Sequence, residues 1–227
     1  MGLSARVVQD RDTELVLGTC FDIAPRLPDD LSSLIIIDPP YGVLRPHESN
    51  RYKTQWKDNK WGRAEWARLL PHIWRVLQRG GRLLVFGKKE FFHEVYKFIK
   101  DDSLGYDELV WVHDGTDNSW NAHQEVSKSE RVAVFYRKAD SACMRLPDRG
   151  NHSDMLYFPK DRAFKSMKPP ALMKYLIERY SAKGDVVMDL CMHTGVTGYA
   201  ARLAGRRFVG IEKVPSIFEK AVANVCA

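Results

Sequence analysis

No apolar run in the 227 residues approaches the roughly 18 that a membrane-spanning helix requires. The opening Met-Gly-Leu-Ser-Ala-Arg carries no long apolar stretch of the secretory kind, so no exported leader is expected. Gly2 makes a weak match to a myristoylation start, but Ala5-Arg6 fills the place where that motif has Ser or Thr. The four cysteines, Cys20, Cys143, Cys191 and Cys226, form no C-x-x-C pair. A zinc site therefore has no support, and free thiols in a reducing compartment are expected. There is no internal repeat and no low-complexity tract.

What is present is an ordinary globular composition, long enough to bury one core, so a single domain over 1–227 is expected. The formal net charge of +6 permits a polyanionic partner without demanding one. Short β-rich runs alternate with helical stretches, which predicts an α/β fold with a mostly parallel sheet. Strands are predicted at 15–17, 34–37, 83–86, 109–112, 132–136, 186–189 and 208–211. Helical spacing begins near Ala64 and takes in Trp66, Leu69, Leu70, Ile73, Trp74 and Leu77, with Gly80-Gly81 as its stop. Further helices are predicted at 90–99, from Pro169-Pro170 to Tyr180, at 197–204 and at 216–225, the proline pair suiting a first turn. Residues 43–61 read as a loop, 114–129 as a polar segment and 138–166 as weakly structured.

The strongest local signal is Asp38-Pro39-Pro40-Tyr41 at the end of the aliphatic run 34–37. Two prolines cannot continue a strand ladder, so the chain must turn there. In an open α/β sheet, ligands bind beyond the carboxyl ends of strands. Asp38 offers an acceptor for an exocyclic amine, the Pro-Pro turn aims a carbonyl at the same nitrogen, and Tyr41 offers a flat face for a base taken out of its stack. The plainer reading is a strand-ending turn with a buried tyrosine.

The second signal is Gly184-Asp185-Val186-Val187-Met188-Asp189, followed by Leu190-Cys191-Met192-His193-Thr194-Gly195-Val196-Thr197. A strand ends in an acid, and a turn of small residues opens a helix, presenting backbone N–H groups to a ligand. About 20 residues on, Phe208-Val209-Gly210-Ile211-Glu212 ends another strand in an acid, where ribose hydroxyls of an adenosine cofactor would find a partner.

Taken together, these segments resemble the S-adenosylmethionine-dependent amino-methyltransferases of DNA. The Asp-Pro-Pro-Tyr motif precedes the cofactor motif, as in the permuted β group of that family. Lys168-Pro169 stands where the family has a Lys-Pro pair opening a helix. Gly80-Gly81-Arg82-Leu83-Leu84-Val85-Phe86 resembles the strand after the catalytic motif. Gln124-Glu125, followed by Arg131-Val132-Ala133-Val134-Phe135-Tyr136, resembles the group's acid-then-strand segment. The resemblance runs from about residue 15 to 225 and implies a Rossmann-like methyltransferase fold, circularly permuted in motif order, with helices on both sheet faces.

It also implies roles. Asp38, Pro39, Pro40 and Tyr41 would form the catalytic motif, with Asp38 and the Pro39 carbonyl on the target amine and Tyr41 on the flipped base. Asp189, Leu190, Cys191, His193, Thr194, Gly195, Val196 and Thr197 would wrap the methionine part of the cofactor. Glu212 would bind its ribose beside Lys213, Lys168 would lie near the pocket with Asp38, and Thr19-Cys20-Phe21 would border the adenine. The chain departs from the group's Asp-Pro-Phe-x-Gly-Ser-Gly-Thr-Thr, with Leu190 for Pro, Cys191 for Phe and His193 for the first Gly; Gly18-Thr19 replaces the usual Gly-Asp. The chemistry needs alignment and electrostatics rather than an enzyme nucleophile. None of the cysteines has the Pro-Cys context that cytosine-C5 transfer requires.

The implied substrate is double-stranded DNA, with adenine N6 favoured because cytosine-N4 members more often carry Ser in place of the leading Asp. Cytosine N4, RNA or a small molecule, and a non-catalytic nucleic-acid-binding module stay open as alternatives. Arg45, Arg51, Tyr52, Lys53, Trp56 and Lys57 interleave cations with aromatics and are expected DNA contacts, although a solvated loop with tryptophans on the core fits equally. Candidate DNA-contacting loops lie in 43–62 and 114–166. So little chain is left for recognition that a short site, a second subunit or a homodimer on a palindrome is expected. His113, Asp114, Asp117 and His123 are too irregularly spaced for a metal and read as solvated loop residues; no metal is expected. Trp66, Trp74 and Trp111 fit the core, and Lys88-Lys89 a solvated helix start. The expected location is the cytoplasm: at the nucleoid in a bacterium, or in the host if phage-encoded.

Overall fold

The computed structural model describes residues 6–40, 61–87, 104–114, 128–143, 152–160 and 168–226. Among these residues, nine strands form one sheet: β1 (Arg6–Asp10), β2 (Thr13–Leu17), β3 (Ser32–Ile37), β4 (Leu77–Gly87), β5 (Leu104–Val112), β6 (Ser129–Arg137), β7 (Met155–Tyr157), β8 (Val186–Asp189) and β9 (Arg207–Glu212). The described helices are α1 (Cys20–Ile23), α2 (Arg63–Val76), α3 (Pro170–Tyr180), α4 (Val196–Leu203) and α5 (Pro215–Val225). Among the described residues, no helix is long and apolar enough to cross a membrane.

The strand order is β1-β2-β9-β8-β3-β4-β6-β5-β7. The centre, β2-β9-β8-β3-β4, is parallel throughout. Antiparallel pairs occur at β1–β2 and around β6.

Strand alternation explains the two-sided core. Ile35 and Ile37 point to a cluster with Trp66, Leu69 and Ile73 of α2. Leu34 and Ile36 point to the other face, with Leu172 and Leu176 of α3 and Phe218 and Ala221 of α5. A continuous aliphatic run is what a strand covered on both faces requires.

Most predicted elements are present with ends moved by a few residues; the four-residue helix α1 is an addition, and three further features differ. The hairpin strand β1 and the short edge strand β7 were not predicted; β7 lies inside the stretch read as weakly structured. Each borrows its stability from pairing with a longer neighbour, β2 or β5, so neither needs a strong pattern of its own.

The third difference concerns Gly80-Gly81, which does not stop α2. That helix ends at Val76, where the Arg75 guanidinium donates to the Leu27 and Ala24 carbonyls. Gly80-Gly81 instead forms an irregular start to β4, because pairing jumps from Ser32↔Leu77 to Leu34↔Arg82. Gly80 has φ +76, and a Cβ on Gly81 would lie 2.8 Å from the Ser33 carbonyl oxygen, so only glycine permits this approach. The predicted helix at 90–99 and the Lys88-Lys89 pair lie outside the described residues.

Candidate active site

The chain runs from β3 through α2 to β4 on one side, and from β8 through α4 to β9 on the other. Strand order therefore diverges between β3 and β8. That crevice, beyond the carboxyl ends of the two strands, is where open α/β sheets bind ligands. Ile36 pairs with Asp189, so the strand ends carrying the two motifs are neighbours. One cleft joins them, lined by Ile36, Asp38, Phe86, Lys168, Met173 and Asp189 and by turn residues Cys191 to Thr194, Val196 and Thr197.

Asp38 follows β3 directly. Its Oδ2 accepts from Lys168 Nζ at 2.8 Å. Its Oδ1 is shielded and has no hydrogen-bond partner among the described residues. Shielded carboxylate oxygens are costly to leave unpaired, so this one marks a place for a donor. Pro39 is buried and Pro40 half-buried. The Pro40 carbonyl accepts the Trp61 N–H at 3.1 Å, so these two residues meet although 20 residues lie between them.

Asp189 organises the other half. Its Oδ1 accepts the Cys191 N–H at 2.9 Å, and its Oδ2 accepts the Thr197 hydroxyl, so the turn folds back onto the strand end. Burial raises its carboxyl to about 7, against the lowering effect of those two hydrogen bonds; the nearby charges of Asp38 and Glu212 push it further up. Glu212 ends β9, is buried, and accepts the Val214 N–H at 2.8 Å. Burial raises its carboxyl too, opposed by backbone N–H groups of Val214, Lys213 and His193. Two buried acids, Asp189 and Glu212, thus stand at neighbouring strand ends with the part-exposed Asp38 close by, an arrangement that favours a cationic ligand.

The turn needs two left-handed residues. Gly195, before α4, has φ +85, and a Cβ there would sit 2.5 Å from Val225 Cγ2. His193 adopts φ +50, a region where a side chain is unfavourable. Burial lowers its imidazole pKa, opposed by Asp38.

Of the predicted cofactor residues, the cleft brings together Asp38, Lys168, Asp189, Cys191, His193, Thr194, Val196 and Thr197. Leu190 is buried in the core behind the turn. Gly195, Glu212 and Lys213 do not line the cleft; Gly195 shapes the turn, Glu212 stands at the adjacent strand end, and Lys213 is exposed. Cys20 and Phe21 also stand back from it. The Cys20 thiol hydrogen-bonds that of Cys191. The Phe21 ring packs on Trp61, with centroids 5.2 Å apart, and beneath the Arg68 guanidinium.

Tyr41, Arg45, Arg51, Tyr52, Lys53, Trp56, Lys57, Asp117, His123 and Gln124-Glu125 lie outside the described residues. Trp61 is a core residue, as are Trp66 and Trp111, and Trp74 packs against the core. His113 corrects the solvated-loop reading: it is 4% exposed at the end of β5, edge-on to Trp111. The polar setting of its sequence neighbours hides the fact that the sheet continues to it. Asp114 is exposed, as expected.

Sequence reasoning missed Ile36, Phe86 and Met173 as cleft residues. Ile36 and Phe86 had a usable signal, since each stands at the carboxyl end of a predicted strand. It also missed Glu130. This buried acid on β6 lies 3.1 Å from Lys168 Nζ as an ion pair, without the angle of a hydrogen bond.

A family profile described as DNA methylase, of the N6/N4 type, matches residues 32–223. The chain is 28% identical over 166 residues to the Type II methyltransferase M.BglI of Bacillus subtilis, covering 65% of this chain and 47% of that protein. It spans about half of that relative's length. The crystal structure of the M1.HpyAVI–SAM complex superposes with a TM-score of 0.68 at 20% identity, covering 93% of this chain and 98% of the other. The cytosine-N4-specific PvuII DNA methyltransferase superposes with a TM-score of 0.69 at 13% identity, covering 94% and 86%. These likenesses establish a shared fold.

Proposed function

The chain belongs to the N6/N4 DNA methylase family, and from that premise we propose that it moves a methyl group from S-adenosylmethionine to the exocyclic amine of a DNA base, adenine N6 first. The observation that carries the reading is the Asp38 carboxylate: one oxygen held by Lys168, the other unpartnered among the described residues, in the same cleft as the Asp189–Thr197 turn.

The residues present fit the cofactor. Its sulfonium and ammonium are cationic, and Asp38, Asp189 and Glu212 supply acids around the crevice. The turn between Asp189 and α4 would hold the methionine part, and Glu212 the ribose. When bound, the cofactor supplies a methyl group that is already activated.

The protein's part is alignment. Asp38 Oδ1 accepts a hydrogen bond from the target amine and turns the nitrogen lone pair toward the cleft. As the bond to that nitrogen forms, the methyl–sulfur bond would break and S-adenosylhomocysteine would leave as a neutral thioether. The carboxylate stabilises the positive charge on the nitrogen, more strongly for its shielded oxygen, until the surplus proton is lost to solvent. Phe86 and Met173 keep the wall apolar. Tyr41 and the cations and aromatics of 43–62 are proposed to hold a base flipped from double-stranded DNA, in the cytoplasm, as part of a restriction-modification pair. Asp38 in the leading position, rather than Ser, favours adenine over cytosine N4.

The test is incubation with labelled cofactor and unmethylated genomic DNA, followed by nucleoside analysis. Label in N6-methyladenine is expected, and label in N4-methylcytosine moves the target to that base. Asp38→Ala is expected to lower transfer at least about 100-fold while calorimetry still detects cofactor binding. Absence of cofactor binding in the unaltered protein sinks the reading and leaves a nucleic-acid-binding module.

A further inference from the structure

We propose that Glu130 is a positioning residue for the amine-accepting site, acting on Asp38 through Lys168. The proposal rests on the reading of Asp38 as the amine acceptor. None of the motifs legible in the sequence includes Glu130, and it does not line the cleft.

The sheet explains how it reaches the site. β3 and β4 are parallel, with Ile37 opposite Val85, so their carboxyl ends share one rim. β6 runs antiparallel to β4, with Arg131 opposite Gly87, so the beginning of β6 lies on that same rim. Glu130 therefore stands two strands from Asp38, about 10 Å across the sheet at ordinary strand spacing. Lys168 closes the gap. Its Nζ lies 2.8 Å from Asp38 Oδ2 and 3.1 Å from Glu130 Oε2, over the Phe86 ring of β4 at 5.1 Å from the centroid. Lys160 Nζ, 3.9 Å from Glu130 Oε1, extends the alternation of charge. Glu130 and Lys168 are each less than a tenth exposed.

Sharing one ammonium between two carboxylates has a geometric consequence. Glu130 draws Lys168 to the far side of Asp38, so the ammonium occupies Oδ2 and leaves Oδ1 for the substrate. It also keeps the site from being neutralised, because the ammonium is only partly spent on Asp38. A positive charge growing on the amine nitrogen then meets a carboxylate that still carries field. Without Glu130, Lys168 is free to straddle both Asp38 oxygens and to compete with the amine.

The experiment compares Glu130→Gln, Lys168→Met and the double variant. Glu130→Gln is expected to lower kcat for methyl transfer to DNA about 10- to 100-fold, the scale of a small misplacement of a reacting group, while the cofactor Kd stays within about threefold. In the Lys168→Met background it should add nothing, because the residue acts through that lysine. Multiplicative effects in the double variant, or wild-type kcat in Glu130→Gln, overturn the proposal. Glu130→Asp keeps the charge at shorter reach and should fall between Gln and wild type; it carries the same comparison if the Gln variant fails to fold.

An activity-independent readout separates the two claims. In ¹⁵N spectra of lysine ammonium groups, the Lys168 signal should shift or broaden away in Glu130→Gln. If it does so while the unaltered protein transfers no label, the ion-pair chain stands and the methyl-transfer reading fails. A Lys168 signal indifferent to Glu130 overturns the chain whatever the activity.

Discussion

Ile36 on β3 stands in register with Asp189 on β8, which sets the two ligand-facing segments side by side although 152 residues of chain lie between them. Asp38 follows two residues after Ile36, and the turn toward α4 follows directly after Asp189. Their shared crevice is a product of strand order, and its charge and backbone geometry govern what it can bind.

Cofactor affinity should depend on pH through Asp189. Its carboxyl is raised from the ordinary 3.8 to about 7, chiefly by burial. Stability that depends on the neutral acid is full below pH 3.8 and lost as pH rises through about 7. A cationic ligand favours the charged form, so binding releases a proton and tightens as pH rises toward 7, by up to about tenfold per unit, then levels off. Burial also lowers the His193 pKa, which favours the neutral imidazole there. Calorimetric titration with S-adenosylmethionine from pH 6 to 8 measures the slope, and Asp189→Asn should flatten it. An equally steep slope in that variant excludes Asp189 as its source.

His193 bears a side chain at φ +50. Both His193→Gly and His193→Ala remove the imidazole, but only alanine keeps a Cβ in the left-handed region. The glycine variant should be more stable than the alanine variant by about 1 kcal/mol. Urea midpoints compare the two, and a more stable alanine variant contradicts the assigned backbone strain.

Gly195 is constrained twice, by φ +85 and by Val225 Cγ2 lying 2.5 Å from where a Cβ would stand. Gly195→Ala should cost about 2–4 kcal/mol, from backbone strain plus overpacking against α5. It should weaken cofactor binding as well, since the turn cannot close. Chemical denaturation with parallel binding measurements tests both, and a neutral substitution would show that α5 gives way.

Cys191 lies in the cleft, yet its thiol is pushed well up by donating a hydrogen bond to Cys20 and by burial. It should resist iodoacetamide at pH 8, because the thiolate is the reactive form. Cys20→Ala removes the largest cause and should speed modification, read by peptide mass spectrometry. Rapid alkylation of Cys191 in the unaltered protein counts against the thiol pairing.

Much of this site was legible because the signals are local. Asp38 and Asp189 each end an aliphatic strand, and a strand end is announced by the residues that break it. Gly195 is required by its own φ. Glu130 was not legible because it follows a polar segment and matters only through a lysine 38 residues away. His113 was misread for the same reason, since its burial comes from Trp111 and the surrounding sheet. Gly80-Gly81 read as a helix stop because glycine serves both ends of helices and irregular strands; only the approach of the Ser33 carbonyl distinguishes them.

By itself, the order of residues determined the elements and their two-faced packing, because alternation and strand-breaking are short-range properties of a chain. The tertiary structure alone decided which strand ends meet, which acid holds Lys168, and which oxygen of Asp38 is left without a partner among the described residues. Those outcomes depend on pairing between distant segments and on removing charges from water together, and no spacing along the chain encodes either.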